Sequence, residues 1–320
     1  MFIAQAFKPG NVFWKYLVGS VIVIGASFVG QLPWIAFIAA EAIKTGKPVP
    51  MDEGEIMRFL DLNLTLFFVL LSFAFAMAGL WIVVRRMHHQ KFKEIVTSRP
   101  KTDWKRILFA FTVWGVFSVG MILLVYYTEP GKYILQFNPG KFAILAIIAV
   151  LMIPVQTSVE ELVFRGYLVQ GFGLLAKNRW FPLVMTSVIF GVMHIANPEI
   201  KQIGYIALVY YIGTGLVLGI MTLMDEGTEL ALGFHAANNL TAALLVTADW
   251  TAFQTHSVFK DISEPSAGFD ILLPVVVIYP LLLLLFSYKY KWKGWKEKLT
   301  GDVNPQSKQI DINEIGPTHE

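Results

Sequence analysis

The 320-residue chain contains no cysteine, which excludes disulfides, thiolate catalysis and cysteine-held metal or iron–sulfur centres and leaves the compartment open. Charge is also scarce. Only 15% of residues are charged against 55% hydrophobic, and the mean hydropathy is +0.57. A soluble chain of this length would lack the polar residues to cover its surface. There is no HExxH motif, no visible internal repeat and no second soluble domain. The net charge of +3 reads as membrane topology and attraction to anionic lipid, so no nucleic-acid partner is expected.

What is present in abundance is long apolar runs. Stretches able to cross about 30 Å of hydrocarbon as helices run approximately over residues 13–40, 60–84, 107–127, 142 to beyond 158, 180–196, 203–224, 230–247 and 271–288. The expectation is therefore an all-α polytopic membrane protein of about eight spans. It forms a single transmembrane domain over residues 1–300, followed by a polar tail over 301–320 that reads as disordered. The segments RRMHHQKFKEIVTSRPKTDWKR and SYKYKWKGWKEK are strongly basic, whereas EAIKTGKPVPMDEGE and TEPGKYILQFNPGK are mixed or nearly neutral. Lysine and arginine collect on the cytoplasmic side, which places both termini there and suggests the cell (plasma) membrane. The first apolar stretch is too long for the core of a cleaved signal peptide.

Against this background the stretch VEELVFRGYL, Val159–Leu168, is anomalous. Ionisable residues at mid-bilayer cost roughly 2.5–3.5 kcal/mol each, so Glu160, Glu161 and Arg165 must be paired or face a wet cavity. On one helix Glu161 and Arg165 share a face and can form an ion pair. Glu160 is rotated about 100° away and is left free. One carboxylate is then structural and its neighbour is available as a base.

Two later spans carry further polar residues. FGVMHIANP puts His194 near the end of the next span, at a depth matching Glu160 if the chain reverses near Lys177. TELALGFHAANNLTAALL puts His235 and Asn239 four apart on one helical face, with Asn238 a rival for the same register. Each could be interhelical hydrogen-bonding glue. His88, His89, His256 and His319 fall in loops or tail, so His194 and His235 are the intramembrane histidines. Deep ionisable groups converging from three helices are the default mark of a functional site.

The pattern Glu160-Glu161-x-x-x-Arg165, then Phe190-x-x-x-His194, then His235-x-x-x-Asn239 resembles the three motifs of the CPBP family. These are the CAAX-protease and bacteriocin-processing enzymes, also called the abortive-infection family. The motif core spans about residues 141–247. The resemblance implies eight spans, a cytoplasm-facing intramembrane catalytic cavity and an intramembrane glutamate endopeptidase of the CAAX prenyl protease type. Glu160 would be general base on a water shared with His194. His235 and Asn239 would donate to the oxyanion, and Glu161 with Arg165 would shape the helix. No cofactor is expected, and the substrate would be a membrane-associated peptide or protein. Family members that cut prenylated CAAX termini and others tied to bacteriocin self-protection leave the substrate open.

Two alternatives use the same residues. Two glutamates and two histidines could hold zinc with a bound water as nucleophile, although Glu161 is already committed to Arg165. A non-proteolytic immunity, peptide-export or lipid-handling protein could bind a peptide on the same polar seam without cutting it.

Overall fold

The computed structural model describes residues 1–265 and 268–303. Of the expected disordered tail, residues 304–320 lie outside the described residues. Residues 301–303 pack against the domain, with Val303 buried and its N–H donating to Lys177 O at 2.8 Å.

Six helices among the described residues are long and apolar enough to cross a membrane: Phe13–Thr45, Leu62–Met87, Trp104–Thr128, Pro139–Ala176, Ala207–Asp225 and Ile271–Tyr290. The chain is an all-α polytopic membrane protein, as helices are how an isolated segment satisfies its backbone in hydrocarbon. Its principal elements are α1 (Phe13–Thr45), α2 (Leu62–Ile82), α3 (Trp104–Thr128), α4 (Pro139–Glu161), α5 (Val169–Ala176), α6 (Trp180–Met193), α7 (Pro198–Ile203), α8 (Ala207–Asp225), α9 (Glu229–Leu245), α10 (Tyr279–Tyr290) and α11 (Trp295–Thr300). Of the eight spans expected, the fifth and seventh are the short helices α6 and α9, of 14 and 17 residues. At 1.5 Å per residue these reach about 21 and 26 Å, less than the hydrocarbon thickness.

Local signals set the helix bounds. Asn138 caps α4 by accepting from Lys141 N at 3.1 Å, with Pro139 in the first turn, where its missing N–H costs nothing. Asp61 and Asp103 cap α2 and α3 in the same way. Pro154 lies inside α4 without ending it. After Glu161 the helix widens into a π-helical turn over Leu162–Leu168 before α5 resumes. Such turns concentrate at functional sites because they re-aim the side chains around them.

The helices meet around α9, which packs between α3 and α4 and touches α8. Gly233 makes the α9–α3 contact possible, since a Cβ there would sit 2.1 Å from Ile107 O. α1 and α2 pack together, and α2 continues the layer onto α4. α6 leans on α8, α5 and the π turn rather than on α4.

The two ends of the bundle differ. At one end the N-terminal turn, the 88–103 segment, the 226–228 loop and α11 interlock: Gln5 Nε2 donates to Glu94 O at 2.8 Å, Ser98 N to Glu226 O at 3.1 Å, and Lys298 Nζ reaches Glu226 at 2.5 Å. The basic segments lie here. At the other end a small sheet forms from β1 (Tyr133–Leu135), β2 (Val246–Thr247) and β3 (Phe259–Asp261), with β3 central, antiparallel to β1 and parallel to β2. Arg58 and Lys260 both reach Asp249 there, at 3.3 and 2.8 Å, and Lys201 reaches Asp52 at 2.5 Å. That last contact lowers the Asp52 pKa.

Candidate active site

Glu160 and Glu161 end α4, immediately before the π turn. Glu161 is fully buried and its Oε1 takes two bonds, from Arg165 Nη1 at 3.2 Å and His235 Nδ1 at 2.8 Å. Arg165, also fully buried, donates from Nη2 to Gly215 O on α8 at 3.2 Å and lies 4.2 Å from the centre of the Phe190 ring. The pair therefore joins the motif helix to α8, α9 and α6.

Glu160 is held differently. Its Oε1 accepts from Gln156 Nε2 at 2.7 Å, and its Oε2 lies 3.3 Å from His235 Nε2. Its side chain retains 16% exposure where that of Glu161 has none. Adjacent carboxylates thus sit in different surroundings, one closed in beside a cation and one partly exposed.

His235 bridges the two, with one ring nitrogen toward each carboxylate. Nδ1 must donate to Glu161, because a carboxylate only accepts.

His194 is the C-cap of α6 and is half-buried. Its Nδ1 lies 2.7 Å from Phe190 O, and a carbonyl only accepts, so Nδ1 carries the hydrogen. In the neutral ring the Nε2 lone pair is then free to accept from a water. Tyr211 of α8 stacks on the imidazole at 4.2 Å and 20°, and Asn197 donates to the Tyr211 hydroxyl at 3.3 Å. The turn is pinned further by Glu199, which accepts from Ala252 N at 2.8 Å and whose carboxyl burial pushes up. Among the described residues no direct hydrogen bond joins His194 to Glu160, although the two interact electrostatically.

Asn239 donates to Gln156 Oε1 at 3.0 Å, and Asn238 donates to Asn239 Oδ1 at 3.1 Å. Both asparagines are half-buried, so the choice between them as rivals dissolves into a series. The structure thus brings Glu160, Glu161, Arg165 and His235 into direct contact, joins Asn239 through Gln156 and sets His194 alongside. Sequence reasoning missed Gln156, although a glutamine one turn before Glu160 in an apolar helix was a usable signal. Tyr211 had none, since it meets His194 only through the packing of α8 on α6.

This arrangement defines a polytopic membrane protein with a buried carboxylate–histidine–arginine cluster drawn from α4, α6 and α9. Residues 139–241 match the family described as type II CAAX prenyl endopeptidase, Rce1-like. The uncharacterized protein YyaK of Bacillus subtilis (strain 168) is 30% identical over 242 residues, covering 75% of this chain and 80% of that protein. No solved structure matches. The chain belongs to the Rce1-like family of type II CAAX prenyl endopeptidases, a family of membrane proteases.

Proposed function

We propose that the protein is an intramembrane glutamate endopeptidase that hydrolyses a peptide bond in a membrane-associated peptide or protein. The observation that carries this reading is the asymmetry of the adjacent glutamates, with Glu161 closed in by Arg165 and Glu160 partly exposed between Gln156 and His235. Glu160 takes one proton of a water whose other proton is accepted by His194 Nε2. The water oxygen then adds to the peptide carbonyl, and Glu160 returns the proton to the departing amine as the C–N bond breaks. The second amide hydrogen of Asn239 donates to the oxyanion, and His235 joins it by turning Nε2, which lies 3.3 Å from Glu160, toward the substrate as Glu160 takes up the water.

The chemistry proposed needs no metal. A zinc site wants about three protein ligands converging on one point. Here Glu161 Oε1 is held by Arg165 and both nitrogens of His235 face carboxylates, which supports activation of the water by Glu160 rather than by zinc. We place both termini and the basic end in the cytoplasm by the lysine and arginine asymmetry, in the cell membrane. The non-proteolytic alternative, peptide binding for bacteriocin immunity or export, uses the same seam but does not require an ionisable group at 160.

The test compares peptides released from membranes carrying wild-type protein or Glu160→Gln at equal abundance, read by mass spectrometry. Peptides present with wild type and lost in the variant are expected. Identical peptide sets would sink proteolysis, and a phenotype that persists with them would favour binding alone.

A further inference from the structure

The Trp114 indole on α3 donates from Nε1 to Asn238 Oδ1 at 3.1 Å. Asn238 donates to Asn239 at 3.1 Å, Asn239 to Gln156 at 3.0 Å, and Gln156 to Glu160 at 2.7 Å. Four hydrogen bonds therefore run without a break from α3 through α9 to α4. Each amide could in principle be turned over, but the two ends forbid it. An indole nitrogen only donates and a carboxylate only accepts, so reversing any one amide sets N–H against N–H or oxygen against oxygen at its neighbours. The ends therefore fix the direction of the whole chain.

We infer that Gln156, backed by Asn239, Asn238 and Trp114, is a positioning relay that holds the Glu160 carboxylate in its working orientation. The inference rests on the proteolytic reading only for its effect on cleavage. Links in such a chain polarise one another, so the bond onto Glu160 is stronger than an isolated amide would make it. Gln156 and Trp114 are both buried, with 3% and 6% exposure, which shields the first and last donors from competing water. The relay also gives Asn238 and Asn239 distinct places. Asn239 orients Gln156 and keeps one amide hydrogen for substrate, while Asn238 passes on the direction set by the indole.

The experiment uses the full-length protein in lipid nanodiscs with its tryptophan indoles labelled with nitrogen-15, the Trp114 resonance being assigned by its loss in Trp114→Phe. Glu160→Gln and the near-isosteric Gln156→Met are each expected to move the Trp114 N–H resonance upfield, although neither touches the indole. In the membrane peptide assay Gln156→Met at normal abundance is expected to lower product release about 10- to 100-fold, the scale at which small displacements of a reacting group act. Adding Trp114→Phe to Gln156→Met should cost nothing more, because the chain is already cut. An indole resonance unmoved in both variants, or wild-type release by Gln156→Met, overturns the relay. If Glu160→Gln releases the wild-type peptides the proteolytic reading falls, while the indole shift still judges the relay.

Discussion

At the basic end of the molecule, Asp225, Glu226 and Glu229 are surrounded by cations, whereas Glu160 inside the bundle has only an amide and a histidine. Asp225 pairs with Arg99 at 2.8 Å and with Arg106, and accepts from the Trp292 indole at 3.2 Å. Glu229, fully buried at the start of α9, pairs with Arg99 at 3.0 Å and accepts from Asp103 N, where the helix N-terminus also favours a carboxylate. Burial alone would raise the Glu226 pKa, but Lys298, the Phe2 N–H and Arg179 outweigh it and hold the carboxyl below its usual range. These groups tie together five chain segments and leave nothing for a ligand to use. The intramembrane cluster repeats the device at Glu161 with Arg165 and stops short of it at Glu160. A carboxylate paired with a guanidinium or ammonium group acts as a joint, and the one held by an amide and a histidine, with partial exposure, is the one the proposed mechanism uses as base.

Removing a joint should hurt folding more than the same change elsewhere, and most where no water can relieve the charge. Arg165→Leu leaves Glu161 buried with only His235 beside it and is expected to cost about 3–5 kcal/mol, seen as lost membrane abundance and early thermal unfolding. Arg106→Leu should cost less, about 1–2 kcal/mol, because Arg106 keeps 19% exposure and Asp225 retains Arg99. Cleavage per folded molecule should survive Arg106→Leu. Equal destabilisation by the two substitutions would erase the distinction between the joint inside the bundle and the one at its basic end.

A smaller effect concerns His88, just outside the α2 span, whose ring bonds Asn11 at 2.6 Å and the Tyr167 hydroxyl at 2.8 Å and so braces the π turn from below. Burial pushes its pKa down to about 4, against about 6.5 in an unfolded chain. Between those values the unfolded chain binds a proton that the folded one refuses, so stability falls as pH drops from about 6.5 toward 4. His88→Gln should flatten the melting temperature over that window. The smallest effect expected is none: prolonged chelation should leave cleavage intact, and stoichiometric zinc with zinc-restorable activity would show that a metal generates the nucleophile.

How much of this was legible in the sequence follows from the range of each interaction. The Glu161–Arg165 pair and the exclusion of Glu160 from it follow from four-residue helical spacing, which needs no knowledge of neighbours. The helices were legible from hydropathy, but their lengths were not, because a window over residues 180–196 cannot show that α6 stops at Met193 and leaves His194 at its C-cap against Tyr211. The π turn at Leu162–Leu168 leaves no mark in hydropathy. His235 was expected only as a partner of the oxyanion, yet it bridges both glutamates, a contact over 74 residues of chain that only packing of α9 on α4 creates. Gln156 could have been found by asking what shares a face with Glu160. The Tyr211 stack and the Trp114 donor could not, since each depends on the rotation of a helix far along the chain.

The contrast between the two clusters is tested most directly by neutralising one carboxylate in each and reading melting temperature beside cleavage per folded molecule. Glu160→Gln is expected to abolish cleavage, a loss of about a thousandfold for a general base, while the melting temperature holds or rises because the substitution relieves an incompletely compensated charge. Glu226→Gln is expected to lower the melting temperature and leave cleavage per folded molecule within about twofold, since it weakens the joint to Lys298 and Arg179 without touching the site. Retained cleavage in Glu160→Gln, or cleavage abolished in well-folded Glu226→Gln, would contradict the assignment of chemistry to one cluster and architecture to the other.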